Sequence, residues 1–178
     1  MGIVALGLYG AYQGLNLITD TLWLKTKNYW HLGFALIGIG LNVYASSVGL
    51  AAIMLAMLFL TGLLREQLPV FRWYEGDTKM SMVFGLYVPL FLSIEGTAFT
   101  GYVLIALILT LTFQLIDMFL TGLMTIGIGV TSFIMKRPIT FGGAEVVWMA
   151  QTNKLSAQLP GAIPIAISAT LILFLISR

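Results

Sequence analysis

Apolar residues in this chain come in long unbroken runs, not in the alternation of a half-buried strand or the one-sided stripe of a surface helix. The runs fall at 2–19, 32–46, 48–64, 78–94, 98–135 and 157–177. A helix needs roughly 20 residues to cross the hydrocarbon core of a bilayer, with ~17 as the lower limit. The pattern therefore predicts an all-α polytopic membrane protein whose helices are short and joined by tight hairpins. "YASSVG" (44–49) is the expected turn between the second and third runs. The fifth run is nearly twice the minimum and is either one long helix or two short ones broken around "TGLMTIGIG" (121–129). "FGGAEVVWMAQTNKLSAQ" (141–158) is too polar to span and is expected to be an interfacial helix or a covering loop. With no internal repeat, 1–178 reads as one membrane-embedded domain.

Charge decides how many times the chain crosses. If 98–135 is one crossing, there are six spans, and Lys25, Lys27, Arg65, Arg72, Lys79, Lys136, Arg137 and Lys154 all lie on one side, with Arg178 alone on the other. Lys and Arg favour the cytoplasm, so both termini are expected outside and the loops 20–31, 65–77 and 136–156 inside. Splitting the run would scatter the cations. Trp23, Trp30, Trp73 and Trp148 then fall at the cytoplasmic interface, where indole rings are enriched. The cytoplasmic membrane of a cell is the expected location.

Composition agrees. The chain is 59% hydrophobic and 9% charged, against about 25% charged residues in soluble domains. A net charge of +2 implies no nucleic-acid partner, and the absence of cysteine excludes disulfides and Cys-ligated zinc. With His31 as the one histidine, no metal or other cofactor is expected. Residues 1–19 lack a basic start and are expected to be a retained span, not a cleaved signal.

Two carboxylates stand at the ends of apolar runs. Under the six-span reading Asp20 ends the first span, Asp77 begins the fourth, and both meet the same membrane face. Carboxylates at a membrane edge are expensive and tend to mark a site. The structural alternative is that they are ordinary caps or interfacial residues. Two close carboxyl groups cannot easily both ionise, so they share a proton. One then takes a proton from water while the other donates to a scissile carbonyl. Helix dipoles, worth ~0.3–1 kcal/mol, predict Asp77 at a helix N-terminus as the base and Asp20 near a C-terminus as the acid.

"YEGDTKMSMVFGLYVP" resembles the Gly-x-Gly-Asp motif of the type IV prepilin peptidases, with Gly76, Asp77 and Lys79 matching. "ITDTLWLKTKNYWHLGFALIGIGLNVY" (18–44) is similar to the family's other aspartate region, where Asp20 and Asn28 fit, and "LPGAIPIAISATLILFLI" (159–176) to its last span. The likeness covers most of the chain and points to the minimal, peptidase-only form. It implies a membrane aspartyl protease that removes the basic leader of a pilin-like precursor at the cytoplasmic face, without a metal. Asp20 and Asp77 would be the catalytic pair, with Gly76, Asn28, Lys79 and Glu75 in support. The partners implied are that precursor, docked through its apolar helix, and the bilayer. Two positions depart from the family pattern: Tyr74 replaces the first motif glycine, and Thr26-Lys27-Asn28 replaces Ile-Pro-Asn. A side chain at Tyr74 is expected to oppose positive φ and to fill space beside the substrate.

Other residues carry competing readings. Glu75 either attracts a basic leader or is a solvated loop residue, and Lys79 either steadies Asp77 or snorkels to the interface. His31 beside Trp30 reads as an interfacial pair, and Glu95 closes the outer end of the fourth span. Gly7, Gly10, Gly14, Gly33, Gly38 and Gly40 suggest close helix packing. Asp117 with Gln114 lies well inside the fifth run, where a charge at mid-bilayer costs ~2.5–3.5 kcal/mol. It supports an alternative function, a proton-coupled small transporter or membrane-complex subunit. A third reading, raised by Tyr74, is a homologue that binds pilin-like helices without cutting them.

Overall fold

The computed structural model describes residues 2–23, 26–68, 73–92, 97–136, 139–141, 144–149, 154–156 and 160–176. Lys25, Arg72, Glu95, Arg137 and Arg178 lie outside them. Six α-helices occupy the six apolar runs: α1 Gly2–Trp23, α2 Asn28–Tyr44, α3 Val48–Arg65, α4 Glu75–Tyr87, α5 Phe99–Met135 and α6 Ala162–Ile176. The fifth run is one continuous helix, about 55 Å long at 1.5 Å per residue. By length and composition α3 and α5 are able to cross a membrane. The body of the fold is all-helical.

The polar segment before α6 differs from expectation. In place of an interfacial helix or a loop it forms three short strands, β1 Ile139–Phe141, β2 Ala144–Met149 and β3 Lys154–Ser156, paired antiparallel in that order. Val146, Val147 and Trp148 in β2 are residue types that suit a pleated strand.

The short helix α4 is the core of the bundle. It packs against α1, α2, α3 and α6, and Phe84 stacks on Phe113 of α5 at 4.8 Å between ring centroids. Its approach to α3 depends on glycines. A Cβ at Gly85 would meet Leu58 Cδ1 at 2.8 Å, and one at Gly62 would run into Thr78. Of the six glycines expected at close packing, only Gly38 is there, with Leu86 Cβ at 3.1 Å; at Gly7, Gly10, Gly14, Gly33 and Gly40 a Cβ would meet nothing. The 44–49 turn forms as expected, with Ser46 left-handed at φ 55°. Asn42 then closes the top of α4 by donating to the Leu86 carbonyl at 2.6 Å.

Candidate functional site: two aspartates at the start of α6

Asp20 lies in the last turn of α1 and Asp77 in the first turn of α4, both buried. The backbone that joins them comes from α6. The Ala162 N–H donates to Asp20 Oδ2 at 2.8 Å. A Cβ on the preceding residue, Gly161, would stand 2.7 Å from Asp77 Oδ2, so the Asp77 carboxyl fills the space a side chain would need. Two carboxyls from distant parts of the sequence thus meet one dipeptide. Asp77 Oδ2 also accepts from the Tyr74 N–H at 2.8 Å, as the carboxyl at the third helical position of a capping box does.

Both carboxyls stand just outside the apolar runs 2–19 and 78–94. Burial raises Asp77 above the ordinary carboxylate range; the Tyr74 N–H opposes this, the Asp20 and Asp117 charges add to it, and the Arg65 guanidinium acts against it. Burial also raises Asp20, with the Ala162 N–H acting against it. Asp77 therefore feels two carboxylates and one guanidinium, while Asp20 sits on the positive end of α6. The α6 terminus adds a third helix dipole to those of α1 and α4, and it favours the ionised form of Asp20.

The supporting residues tie loops together without touching the pair. Lys79 Nζ donates to Asn28 Oδ1 at 2.9 Å and forms an ion pair with Glu75, linking the start of α2 to the start of α4. Lys79 does not stand over Asp77 as a counter-charge, and the Glu75 carboxylate is held below its usual value by hydrogen bonding to Lys79 and by its charge. Gly76 carries a steric requirement, since a Cβ there would lie 2.7 Å from Thr26 Oγ1. Thr26 is held in turn by His31 Nε2 at 2.8 Å, and His31 Nδ1 meets the Tyr12 hydroxyl at 2.6 Å. His31 is thus buried between α1 and the 26–27 loop, not paired with Trp30 at an interface; Trp30 packs edge-on to Tyr29. The His31–Thr26 bond stiffens the turn where the family pattern has proline. Tyr74 brings no backbone strain: φ −94° and ψ 167° are extended values open to any residue.

Asp117 belongs to a second buried cluster. It forms an ion pair with Arg65 and accepts from Trp73 Nε1 at 3.0 Å. Arg65 Nη1 donates to Gln114 Oε1 at 3.2 Å, and its guanidinium lies 4.3 Å from the centre of the Trp73 ring. Gln114 Nε2 donates to Thr61 at 2.9 Å. Arg65 and Trp73, expected as a loop cation and an interfacial ring, are both buried. Asp117 is about 27 Å along α5 from Phe99, and its ion pair with Arg65 sets it level with the last turn of α3. Trp73 immediately precedes Tyr74, so this brace fixes the chain that leads into Asp77.

Sequence reasoning missed Gly161, Ala162, Thr26, Arg65 and Trp73. "LPGAIP" did offer one signal, a Pro-Gly pair just ahead of an apolar helix. Among the described residues no three His, Asp or Glu side chains group so that they could hold a metal ion. No family model, curated protein or solved structure matches the chain. The likeness to the prepilin peptidases rests on the residues quoted for it.

Proposed function

We propose that the chain is a membrane aspartyl endopeptidase of the prepilin-peptidase kind, with Asp20 and Asp77 as its dyad. The observation that carries this reading is the convergence of both carboxyls on Gly161–Ala162. Each carboxyl also accepts one backbone N–H at a helix start, as a cap does; what capping alone does not call for is that the two buried groups, from α1 and α4, meet the same Gly161–Ala162 dipeptide. The membrane setting draws support from the inverted surface. Leu36, Leu60, Leu115, Phe119 and Phe174 are exposed, while Asn16, Asp117, Ser81 and Ser168 are buried. Six spans with both termini outside remain the orientation that the cation distribution favours.

In the mechanism that this site suits, ionised Asp20 takes a proton from water and the oxygen adds to the scissile carbonyl carbon. Protonated Asp77 gives its proton to the carbonyl oxygen, forming a neutral gem-diol. Collapse of the gem-diol breaks the C–N bond; Asp20 passes its proton to the departing nitrogen and Asp77 recovers one from the diol. The products are a carboxylic acid and an amine, and the dyad holds one proton again. The substrate class is a pilin-like precursor whose apolar helix docks in the bilayer and whose basic leader reaches the cytoplasmic face.

The deciding experiment mixes wild type, Asp20→Asn and Asp77→Asn with pilin-like precursors in detergent or nanodiscs. Wild type is expected to release the leader, and each variant to lose about 10²–10⁴-fold in rate while staying folded. Wild type that cuts no precursor across a broad pH range overturns the proposal. The alternative of an Asp117 proton carrier would instead require uptake that Asp117→Asn abolishes.

A further inference from the structure

The buried positions of α1 are Ala5, Tyr9, Tyr12, Gln13, Asn16, Thr19 and Asp20. Past Ala5, every buried side chain of this helix carries a polar group, with Leu8 packing part-buried beside them, while Leu15, Leu17, Ile18 and Leu22 point outward. An ordinary amphipathic helix does the opposite. The stripe runs at helical spacing and ends on Asp20.

Its donors are used within the protein. Gln13 Nε2 donates to the Tyr9 hydroxyl, Asn16 Nδ2 to the Tyr12 carbonyl at 2.9 Å, and Thr19 Oγ1 to the Leu15 carbonyl at 2.9 Å. Two acceptors are left over. Gln13 Oε1 and Asn16 Oδ1 are buried and take no hydrogen bond from the described residues. Turning the Asn16 amide over would set oxygen against the Tyr12 carbonyl oxygen, so the free atom at this position is an acceptor. Gln13 is 8% exposed and Asn16 0%.

We propose that this face of α1 binds a file of water molecules, held by the Gln13 and Asn16 oxygens and leading to the Asp20 carboxyl. Residues three and four apart on a helix have Cβ atoms about 5–6 Å apart. Gln13, Asn16 and Asp20 are therefore successive neighbours, and one water making hydrogen bonds of ~2.8 Å spans each gap. Two neutral amide oxygens suit a cation poorly, since Ca²⁺ or Mg²⁺ takes carboxylates and about six or more ligands. A peptide backbone is too bulky for positions this enclosed. Water is the donor small enough, and polar sites in protein interiors are where it is held. The further step, that this file delivers the hydrolytic water, rests on the peptidase reading; the file itself does not.

The probe must be no larger than water and must leave the Gln13 and Asn16 oxygens in place, so the test is water-to-protein magnetisation transfer in the native chain, labelled at asparagine, in lipid nanodiscs. Asn28 is exposed and Asn42 is buried with its amide satisfied by carbonyls at 2.8 and 2.6 Å. Asn16 is expected to follow Asn28; behaviour like Asn42 overturns the water file. A wet Asn16 in a chain that cuts no precursor keeps the file and removes its catalytic use, so the two failures are separable.

Discussion

Gly161 is where a single methyl group tests the dyad. Gly161→Ala would force the Asp77 carboxyl from its place, and on the peptidase reading the expected outcome is a loss of about 10²-fold in kcat, the scale of a misplaced catalytic group. Gly10→Ala, where a Cβ meets nothing, should leave turnover unchanged in the same assay. The pH dependence follows from Asp77. Its folded value lies above the ordinary carboxylate value of ~3.9. Between the two the folded chain holds a proton that the unfolded chain has lost, so stability falls as pH rises through that window. Asp77→Asn should flatten this slope in chemical denaturation measured at several pH values, and an unchanged slope would assign it elsewhere. The rate profile should be bell-shaped, failing at low pH when both carboxyls are protonated and at high pH when the shared proton is gone.

The helix termini do the positioning, and the brace between α3 and α5 governs one of them. Removing one partner of a buried ion pair costs about 3–5 kcal/mol, whereas replacing both with apolar residues is near neutral. Asp117→Leu alone should therefore lower the denaturation midpoint strongly, and Arg65→Met with Asp117→Leu should recover most of the loss. A double variant as unstable as the single one would mean that the charges serve something besides the brace. On the far side of the site, Thr26→Val removes the hydroxyl that His31 holds above Gly76. The expected effect is a rise in KM with kcat within a few-fold, about 1 kcal/mol of positioning for one neutral hydrogen bond. A fall confined to kcat would place Thr26 closer to the reacting atoms.

At the scale of the molecule, the number of helices and their order are legible in the runs of apolar residues, because length and hydropathy alone define such segments. The two aspartates are legible too, since each interrupts the end of a run. What joins them is not, because Gly161 and Ala162 act through a missing side chain and a backbone N–H, and neither leaves a mark of its own type in the sequence. Asp117 looked anomalous because its partner Arg65 sits just past the end of an apolar run and reads as a loop residue. Counting 1.5 Å per residue from Phe99 would have set the two at one level. The Tyr9–Asp20 stripe was visible at helical spacing within a run that otherwise reads as uniformly greasy. The strands at 139–156 were hidden by the expectation that polar connectors in a membrane chain are helix or loop.

The start of α6 is the last part of the site to be synthesised. A nascent chain makes Asp20 and Asp77 early, on α1 and α4, yet the dipeptide that both carboxyls meet emerges only with Gly161 and Ala162. Until then the growing polypeptide has both acidic groups and no means of mating them. On the peptidase reading, competence to cut would therefore arrive only after five of the six helices have been made, and a chain arrested before Gly161 would carry both acidic groups without the dipeptide that holds them.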